Sequence, residues 1–209
     1  MGDVAFWDVD TQNDFMLPQG KMYVKGAEKI RPALRKLYAF ARRANIPVVA
    51  SCDANSPSDA KMKDWPEHCI RGTDGQRKLP ETRLPRSVVL PTDRKGAIPD
   101  LHSGVQVILE KTHHDSFSNP SARALVEASG IGHWAVFGVA TDYGIRLAAL
   151  GLLKLGKKVT VVSDAVRGVS PDSARQAFIE MQAAGADLRT AAAVIRAFKP
   201  DPRRKTRTK

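Results

Sequence analysis

The sequence has 209 residues but only two cysteines, Cys52 and Cys69. Two thiols in a chain of this length do not indicate a disulfide framework, so we expect both to be reduced and to serve packing. No apolar run approaches the roughly 20 residues that a helix needs to span a bilayer. Residues 1–10 also lack the basic stretch that opens a signal peptide. We therefore expect a cytoplasmic protein without membrane contact.

Acidic residues are scarce relative to basic ones, and the net charge is +11. Much of this excess lies in residues 199–209, which hold six basic side chains and one acid. We expect this segment to be a disordered, solvated basic tail. It has no aromatic side chains that would stack on bases, so nucleic acid is not an expected partner.

Apolar runs typical of buried strands alternate with helical patterns along residues 1–198. This alternation predicts parallel strands joined by right-handed crossovers. We expect a single α/β domain with a Rossmann-like, three-layer α/β/α architecture and a mostly parallel sheet of about six strands. The predicted strands are residues 4–9, 46–50, 105–109, 134–139, 158–163 and 187–189, with an extra rim strand at 87–90.

Two segments outside the strands have unusual compositions. Residues 56–104 are irregular and too long for a simple connection, so we expect a functional loop or lid there. The helix predicted over residues 142–155 is apolar on almost every side, which is typical of a helix buried under a lid or at a subunit interface. We therefore expect a homo-oligomer.

Polar residues follow three of the predicted strands. Asp10 follows the first strand, Lys111 follows the strand at 105–109, and a short turn at 140–144 follows the strand at 134–139. Ligands of open α/β sheets bind at the carboxyl ends of strands, so we expect these residues to meet in one crevice. There, Asp10 would act as a general acid or base, and Lys111 would stabilise its charge. Taken singly, the residues also fit an ordinary turn and a surface lysine.

Asp53 and His68 are candidate metal ligands, because carboxylate and imidazole both suit divalent ions. They are fifteen residues apart, and a lone exposed histidine is the more common reading of such a residue. Gly144 lies where a helix begins and where a side chain would point into the crevice. Glycine at such a position lets the backbone approach a neighbour closely.

These residues occur in motifs that resemble the isochorismatase-like hydrolase superfamily, also called cysteine hydrolases, and within it the nicotinamidases. The order and spacing match over residues 3–195. The matching motifs are D-T-Q-N-D-F at 10–15, W-P-E-H-C-I-R-G-T at 65–73, Lys111, and G-V-A-T-D-Y at 138–143.

The resemblance implies a catalytic triad of Asp, Lys and Cys, of which Asp10 and Lys111 match the first two. It also implies a cis peptide bond between Val139 and Ala140, which would aim the amides of Ala140 and Gly144 as an oxyanion hole. A small-molecule substrate would bind between apolar walls that match Phe15, Trp65, Phe117 and Tyr143.

A nicotinamidase-like site would also hold a divalent metal such as zinc, iron or manganese. Asp53 and His68 match two of the ligands that the resemblance implies. Asn55 occupies the position of a metal-binding histidine, and an amide oxygen is a poorer ligand for zinc or iron than imidazole. This departure weakens the metal prediction.

The second departure is Gly144, which occupies the position of the nucleophilic cysteine. Isochorismatases also have glycine there and hydrolyse a vinyl ether with the Asp as general acid, although an A-H pair stands where this chain has T-D. Three hypotheses stay open. The chain is a hydrolase of a C–N or vinyl ether bond without a thiol, a catalytically silent binding protein, or an engineered Cys-to-Gly variant of an amidase.

Overall fold

The structure is a computed structural model that describes residues 4–198. Seven parallel strands form one sheet in the order β3-β4-β2-β1-β5-β6-β7. The predicted α/β class and parallel sheet are confirmed, and the predicted rim strand forms one edge of the sheet as the seventh strand. The strands are β1 (Val4–Val9), β2 (Val48–Asp53), β3 (Ser87–Leu90), β4 (Gln106–Lys111), β5 (His133–Val139), β6 (Lys158–Arg167) and β7 (Asp187–Arg189).

Six α-helices lie between and after these strands. They are α1 (Asn13–Met16), α2 (Arg31–Ala44), α3 (Ala122–Ala128), α4 (Arg146–Lys154), α5 (Pro171–Ala183) and α6 (Ala191–Ala197). A short 3-10 turn, Ala27–Ile30, precedes α2, and Gly26 before this turn has φ +86°. The apolar face of α2 packs on the core through Leu34, Leu37 and Ala41.

Helices cover both faces of the sheet, and neighbouring residues of β1 show the two sides. The Phe6 ring contacts Phe40 of α2 and Phe198 after α6 on one face. Trp7 points to the other face, where it stacks on Phe117 and contacts Trp134. Alternating side chains of a strand point to opposite faces, so both layers are anchored on this central strand.

The helix after β5 differs from its prediction. It opens with a π-helical turn, Thr141–Ile145, before α4 begins. Ala148, Ala149 and Leu152 are buried, but Leu147 and Leu150 are only partly buried. Within one chain the helix is therefore buried on one side only, because α4 lies in an outer layer and turns that side to the core; burial at a subunit interface stays a prediction.

The strand register brings the predicted site residues to one edge. Val9 pairs with Ser51 of β2 and Gly138 of β5, and Asp53 pairs with Lys111 of β4. The irregular segment after β2 folds back onto this edge through isolated bridges, Asn55 to Ile70 and Gln12 to Lys78. No helix within residues 4–198 is long and apolar enough to cross a membrane. The predicted basic tail at 199–209 lies outside the described residues.

Candidate active site

Three charged side chains from three neighbouring strands meet at the carboxyl edge of the sheet. Lys111 Nζ lies 2.8 Å from Asp10 Oδ2 and 2.5 Å from Asp53 Oδ1. All three side chains are buried, with Lys111 only 1% exposed. Buried charges are tolerated when they are paired and hydrogen-bonded, and this arrangement provides both.

The arrangement shifts the pKa values of the acid and the base. Burial raises the pKa of Asp10 most strongly, Lys111 opposes that change, and the Asp53 carboxylate adds to it, so the pKa of Asp10 stays above its usual value. Burial lowers the pKa of Lys111, but Asp10 and Asp53 outweigh burial and hold this pKa above its usual value. Asp10 therefore keeps a proton more readily than an exposed carboxyl group, beside an ammonium that stays charged.

Asp10 is fixed by its own backbone and by β2. Its φ of +51° lies in the left-handed region, which costs a non-glycine residue roughly 1–2 kcal/mol and often marks a functional position. Ser51 Oγ donates to Asp10 Oδ1 at 2.7 Å, and the Asp10 amide donates to the Ser51 carbonyl at 3.2 Å. One carboxylate oxygen thus faces Ser51 and the other faces Lys111.

Gly144 lies opposite this carboxylate. A β-carbon at position 144 would lie 3.2 Å from Asp10 Oδ2 and 2.8 Å from Val9 Cγ1. A side chain at position 144 would therefore point at the Asp10 carboxylate. However, Val9 of β1 already occupies the space that the β-carbon of this side chain needs.

The turn that carries Gly144 is held from the far side of the pocket. The peptide bond between Val139 and Ala140 is cis. The Asp142 carboxylate accepts the amide of Val169 at 3.1 Å and the hydroxyl of Ser173. Because Val169 and the cis pair both line the pocket, Asp142 joins two of its walls.

The charged cluster opens into a pocket of about 300 Å³. Phe15, Trp65 and Tyr143 line it, and Trp65 and Tyr143 are 40% and 39% exposed at its mouth. Phe117, which the resemblance also implied as a wall, lies elsewhere: its ring stacks on Trp7 at 5.3 Å within the sheet-facing layer. The lining is mainly apolar and aromatic, which suits a flat small molecule.

Several lining residues were missed by the sequence analysis. His114 lies between two predicted walls, with its ring 5.2 Å from Tyr143 and 6.4 Å from Trp65. It follows Lys111 by three residues at a strand end, so its position alone was a usable signal. The remaining missed residues carry no motif and come from the loop after α1 and the end of β6: Lys21, Met22, Tyr23, Val24 and Val169.

The three residues that match metal ligands do not fit a zinc or iron site. Within the described part of the chain, no three His, Cys, Asp or Glu side chains cluster around one position. Asp53 is already bonded to Lys111, and His68 Nε2 lies 3.5 Å from its second oxygen. Asn55 Nδ2 donates to the His68 carbonyl at 2.8 Å, and its amide oxygen has no protein partner but brings no charge.

Neither cysteine can replace the missing thiol. Both are free and buried, and burial raises the pKa of each thiol, to about 12 for Cys52. Cys69 Sγ faces the Gly75 carbonyl at 3.8 Å rather than the pocket. A thiol with a raised pKa is a poor nucleophile at neutral pH.

Comparisons with a family model, with known sequences and with solved structures identify the same group of relatives. The isochorismatase domain model matches residues 8–193. The chain is 29% identical to a nicotinamidase of Escherichia coli (strain K12), over 88% of this chain and 93% of the relative. It is 30% identical to a nicotinamidase/pyrazinamidase of Mycobacterium tuberculosis, over 86% and 95%. The structure of Pyrococcus horikoshii pyrazinamidase in complex with zinc superposes with a TM-score of 0.74 at 25% identity, over 90% and 99%.

Proposed function

The chain belongs to the isochorismatase family, and from this premise we propose that it is a hydrolase of a small molecule that works without a covalent enzyme intermediate. The relatives named above are nicotinamidases, so the pocket suits a flat ring. The bond cleaved is a C–N or vinyl ether bond that yields to acid–base catalysis.

One observation carries the proposal. Asp10, Lys111 and Asp53 form a buried, hydrogen-bonded chain of charges at the floor of an open pocket. A carboxyl group in a cleft whose pKa is shifted by burial and a specific charge partner is a candidate for acid–base chemistry, since acid–base groups must contact the substrate. The raised pKa of Asp10, caused first by burial, means that this carboxyl group holds a proton to higher pH than an exposed one, as a general acid must.

In the proposed mechanism Asp10 donates its proton to the substrate and Lys111 stabilises the carboxylate that remains. For a vinyl ether, the proton goes to the alkene carbon, and water adds to the neighbouring carbon that becomes electron-poor. Asp10 then takes back the proton that the added water loses, which leaves a neutral hemiketal. The C–O bond to the ether oxygen breaks as the hemiketal hydroxyl proton passes to that oxygen, which gives a carbonyl compound and an alcohol. Because Gly144 brings no side chain, the face of the substrate near Asp10 is open to water or to a bulkier group.

The backbone around the cis bond supplies the remaining groups. We propose that the amides of Ala140 and Gly144, which line the pocket, stabilise negative charge on a substrate oxygen. Phe15, Trp65 and Tyr143 would hold the ring and keep bulk water from the floor. No step runs through a metal ion, because Asp53, Asn55 and His68 do not fit one.

A second function is favoured by the two departures from the family motifs. Gly144 removes the nucleophile and Asn55 removes a metal ligand, and a protein that only binds a nicotinamide-like ligand would tolerate both. In that case the pocket would bind the ring tightly and the Asp10–Lys111 pair would serve only to hold it.

Turnover across a panel of small amides, aromatic acid esters and vinyl ethers separates the two functions. The proposal expects product from at least one substrate and, in mass spectra of the intact protein during turnover, no covalent adduct. Binding of nicotinamide without turnover of any panel member would support the silent protein instead. A thioester or ester adduct would exclude the mechanism without a covalent intermediate.

A further inference from the structure

A second cavity, of about 260 Å³, lies away from the active site. Its floor is the sheet face on which Asp8 lies, because the register pairs Asp8 with Ala50 and Ala50 with Ile108, which lines the cavity. We call it the β3–β4 cleft. The strand residues that line it are Cys52, Ser87, Val89, Gln106, Ile108 and Glu110.

The cleft begins where helix α2 stops covering the sheet. Tyr38, from α2, accepts a hydrogen bond from Gln106 at 2.9 Å and donates one to Asp8 at 2.5 Å. Beyond Gln106, the opposite wall is formed by the irregular segment after β2, through residues such as Lys78, Arg83 and Leu84. The cavity is therefore a gap between the sheet and a loop, beside the edge strand β3.

Cations dominate the charge of this cleft. Arg77 and Arg83 are exposed, and Arg77 has only a weak, solvent-exposed pairing with Asp74 at 3.4 Å. Within residues 4–198, Arg83 has no ion pair. The only acid in the lining, Glu110, is bonded to Arg71 at 2.8 Å.

Lys78 adds a buried donor to the same lining. Its ammonium lies 2.8 Å from Asp8 Oδ2 and 2.6 Å from Thr11 Oγ1, and the residue is only 7% exposed. An ammonium has three hydrogens, so these two bonds leave one donor. Two exposed arginines and Lys78, whose charge is paired with Asp8, thus line one space that a small anion can fill.

The rest of the lining is apolar. Leu84, Val89 and Ile108 contribute hydrocarbon surface, and Val89 is 48% exposed on the edge strand. A cavity just below the roughly 300 Å³ of the smallest drug-sized pockets accepts a molecule of about ten heavy atoms. We propose that the β3–β4 cleft is a binding site for a small organic anion, with a carboxylate or phosphate head at Arg77, Lys78 and Arg83 and an apolar body on β3 and β4.

The cleft is a binding site and not a second catalytic centre. Cys52 is the one thiol among the described residues that line it, and burial raises the pKa of this thiol to about 12. The cleft is nevertheless joined to the active site by one side chain. Gln12 Nε2 donates to the carbonyls of Gln76, in the cleft wall, and of Asp53, each at 2.8 Å.

Sodium benzoate and inorganic phosphate are suitable probes, because they share the anionic head and differ in the apolar body. Titration of the ¹⁵N-labelled full chain should give saturable shifts in the amides of residues 76–84 and 106–110 with benzoate. The double variant R77Q/R83Q should weaken benzoate binding at least tenfold. The double variant R94Q/R123Q removes two exposed charges elsewhere and should bind benzoate like the unmodified chain.

Four results would overturn the proposal. Benzoate shifts confined to the active-site amides, such as those of Ala140 and Gly144, would place the anion in the other pocket. Equal affinity in R77Q/R83Q and the unmodified chain would remove the arginines as its ligands. Binding of phosphate but not benzoate would exclude the apolar half of the ligand, and binding of neither would exclude the site.

Discussion

A β-carbon at position 144 would lie 3.2 Å from Asp10 Oδ2 but only 2.8 Å from Val9 Cγ1. Real β-carbons do not tolerate the second distance, and a valine side chain is stiff at χ1, so it cannot move aside freely. The core beside position 144 is therefore packed for glycine. Such packing is not expected of an amidase in which one cysteine was exchanged for glycine to trap a substrate.

The packing predicts how the missing cysteine can be restored. Gly144→Cys alone should destabilise the protein by about 1–3 kcal/mol through overpacking against Val9. The double variant V9A/G144C should regain much of that stability, because the alanine frees the space for the β-carbon. Chemical denaturation measures both effects, and V9A alone is the control for the lost methyl groups.

The same variants report on the chemistry of the pocket. Ammonia release from nicotinamide by V9A/G144C but not by G144C would show that the rest of an amidase site is intact. A G144C protein as stable as the unmodified chain would contradict the packing argument.

The charges around Asp10 predict opposite pH shifts for two substitutions. A general acid is active while protonated, so turnover is present below the Asp10 pKa and is lost as pH rises through it. The Asp53 charge raises the pKa of Asp10 and the Ser51 hydrogen bond lowers it. Asp53→Asn should therefore move the alkaline limb of the pH–rate profile to lower pH, and Ser51→Ala should move it to higher pH.

NMR titration of the Asp10 carboxyl carbon in the same variants checks the assignment. The pH–rate profiles of the two variants could instead shift in the same direction, or neither could shift. Either result would contradict Asp10 as the group whose titration sets the alkaline limb.

At the scale of elements, the carboxyl ends of β1, β2 and β4 carry the proposed acid–base groups, and a loop holds them together. Gln12 donates to the carbonyls of Asp53 and Gln76, and Lys78 returns to β1 through its bond with Asp8. The irregular segment after β2 is thus tied to the sheet by buried polar bonds. It is a fixed wall of the site as well as a connection.

This tie predicts a large stability effect from one lysine. Lys78→Met should lower the free energy of unfolding by about 3–5 kcal/mol, because it leaves the buried Asp8 carboxylate without its counter-charge. The double variant D8N/K78M should lose less of this free energy of unfolding, since neither substituted residue leaves a charge buried. Urea denaturation measures both, and Lys36→Met on the exposed side of α2 is the matched control. An equal loss in the single and double variants would exclude the ion pair as the cause.

The order of elements was predictable from the sequence, because each strand is a short apolar run that ends in a polar turn. Asp10 and Lys111 were found in the same way, as polar residues at strand ends. The positions that sequence reasoning misplaced depend on tertiary packing instead. Phe117 turns inward because Trp7 offers a ring to stack on, and Tyr23 and Val169 reach the pocket from loops without a motif.

At the scale of the whole molecule, the outer face of α4 carries a row of partly buried leucines. Leu147, Leu150 and Leu153 are each only partly buried along this helix. The apolar composition that predicted a buried helix thus leaves a half-covered row of leucines. Covering this row with a second copy of the chain would remove it from water, as expected for a homo-oligomer.

Light scattering coupled to size-exclusion chromatography tests this expectation. The unmodified chain should elute as a dimer or larger species, and Leu150→Glu should shift it toward the monomer, because a charge would be buried in the interface. Ile179→Glu, on the exposed side of α5, should leave the mass unchanged. A monomeric unmodified chain would rule out α4 as an interface.

The most direct test of the account compares the unmodified chain with Asp10→Asn on the best substrate of the hydrolase panel. Ligand affinity and thermal stability are measured on the same samples. Asparagine keeps the shape and the contact with Lys111 but cannot act as the acid, so turnover should fall by roughly 10²–10⁴-fold while the ligand still binds. Retention of the full rate by a folded, ligand-binding Asp10→Asn protein would contradict the central role of this carboxyl group.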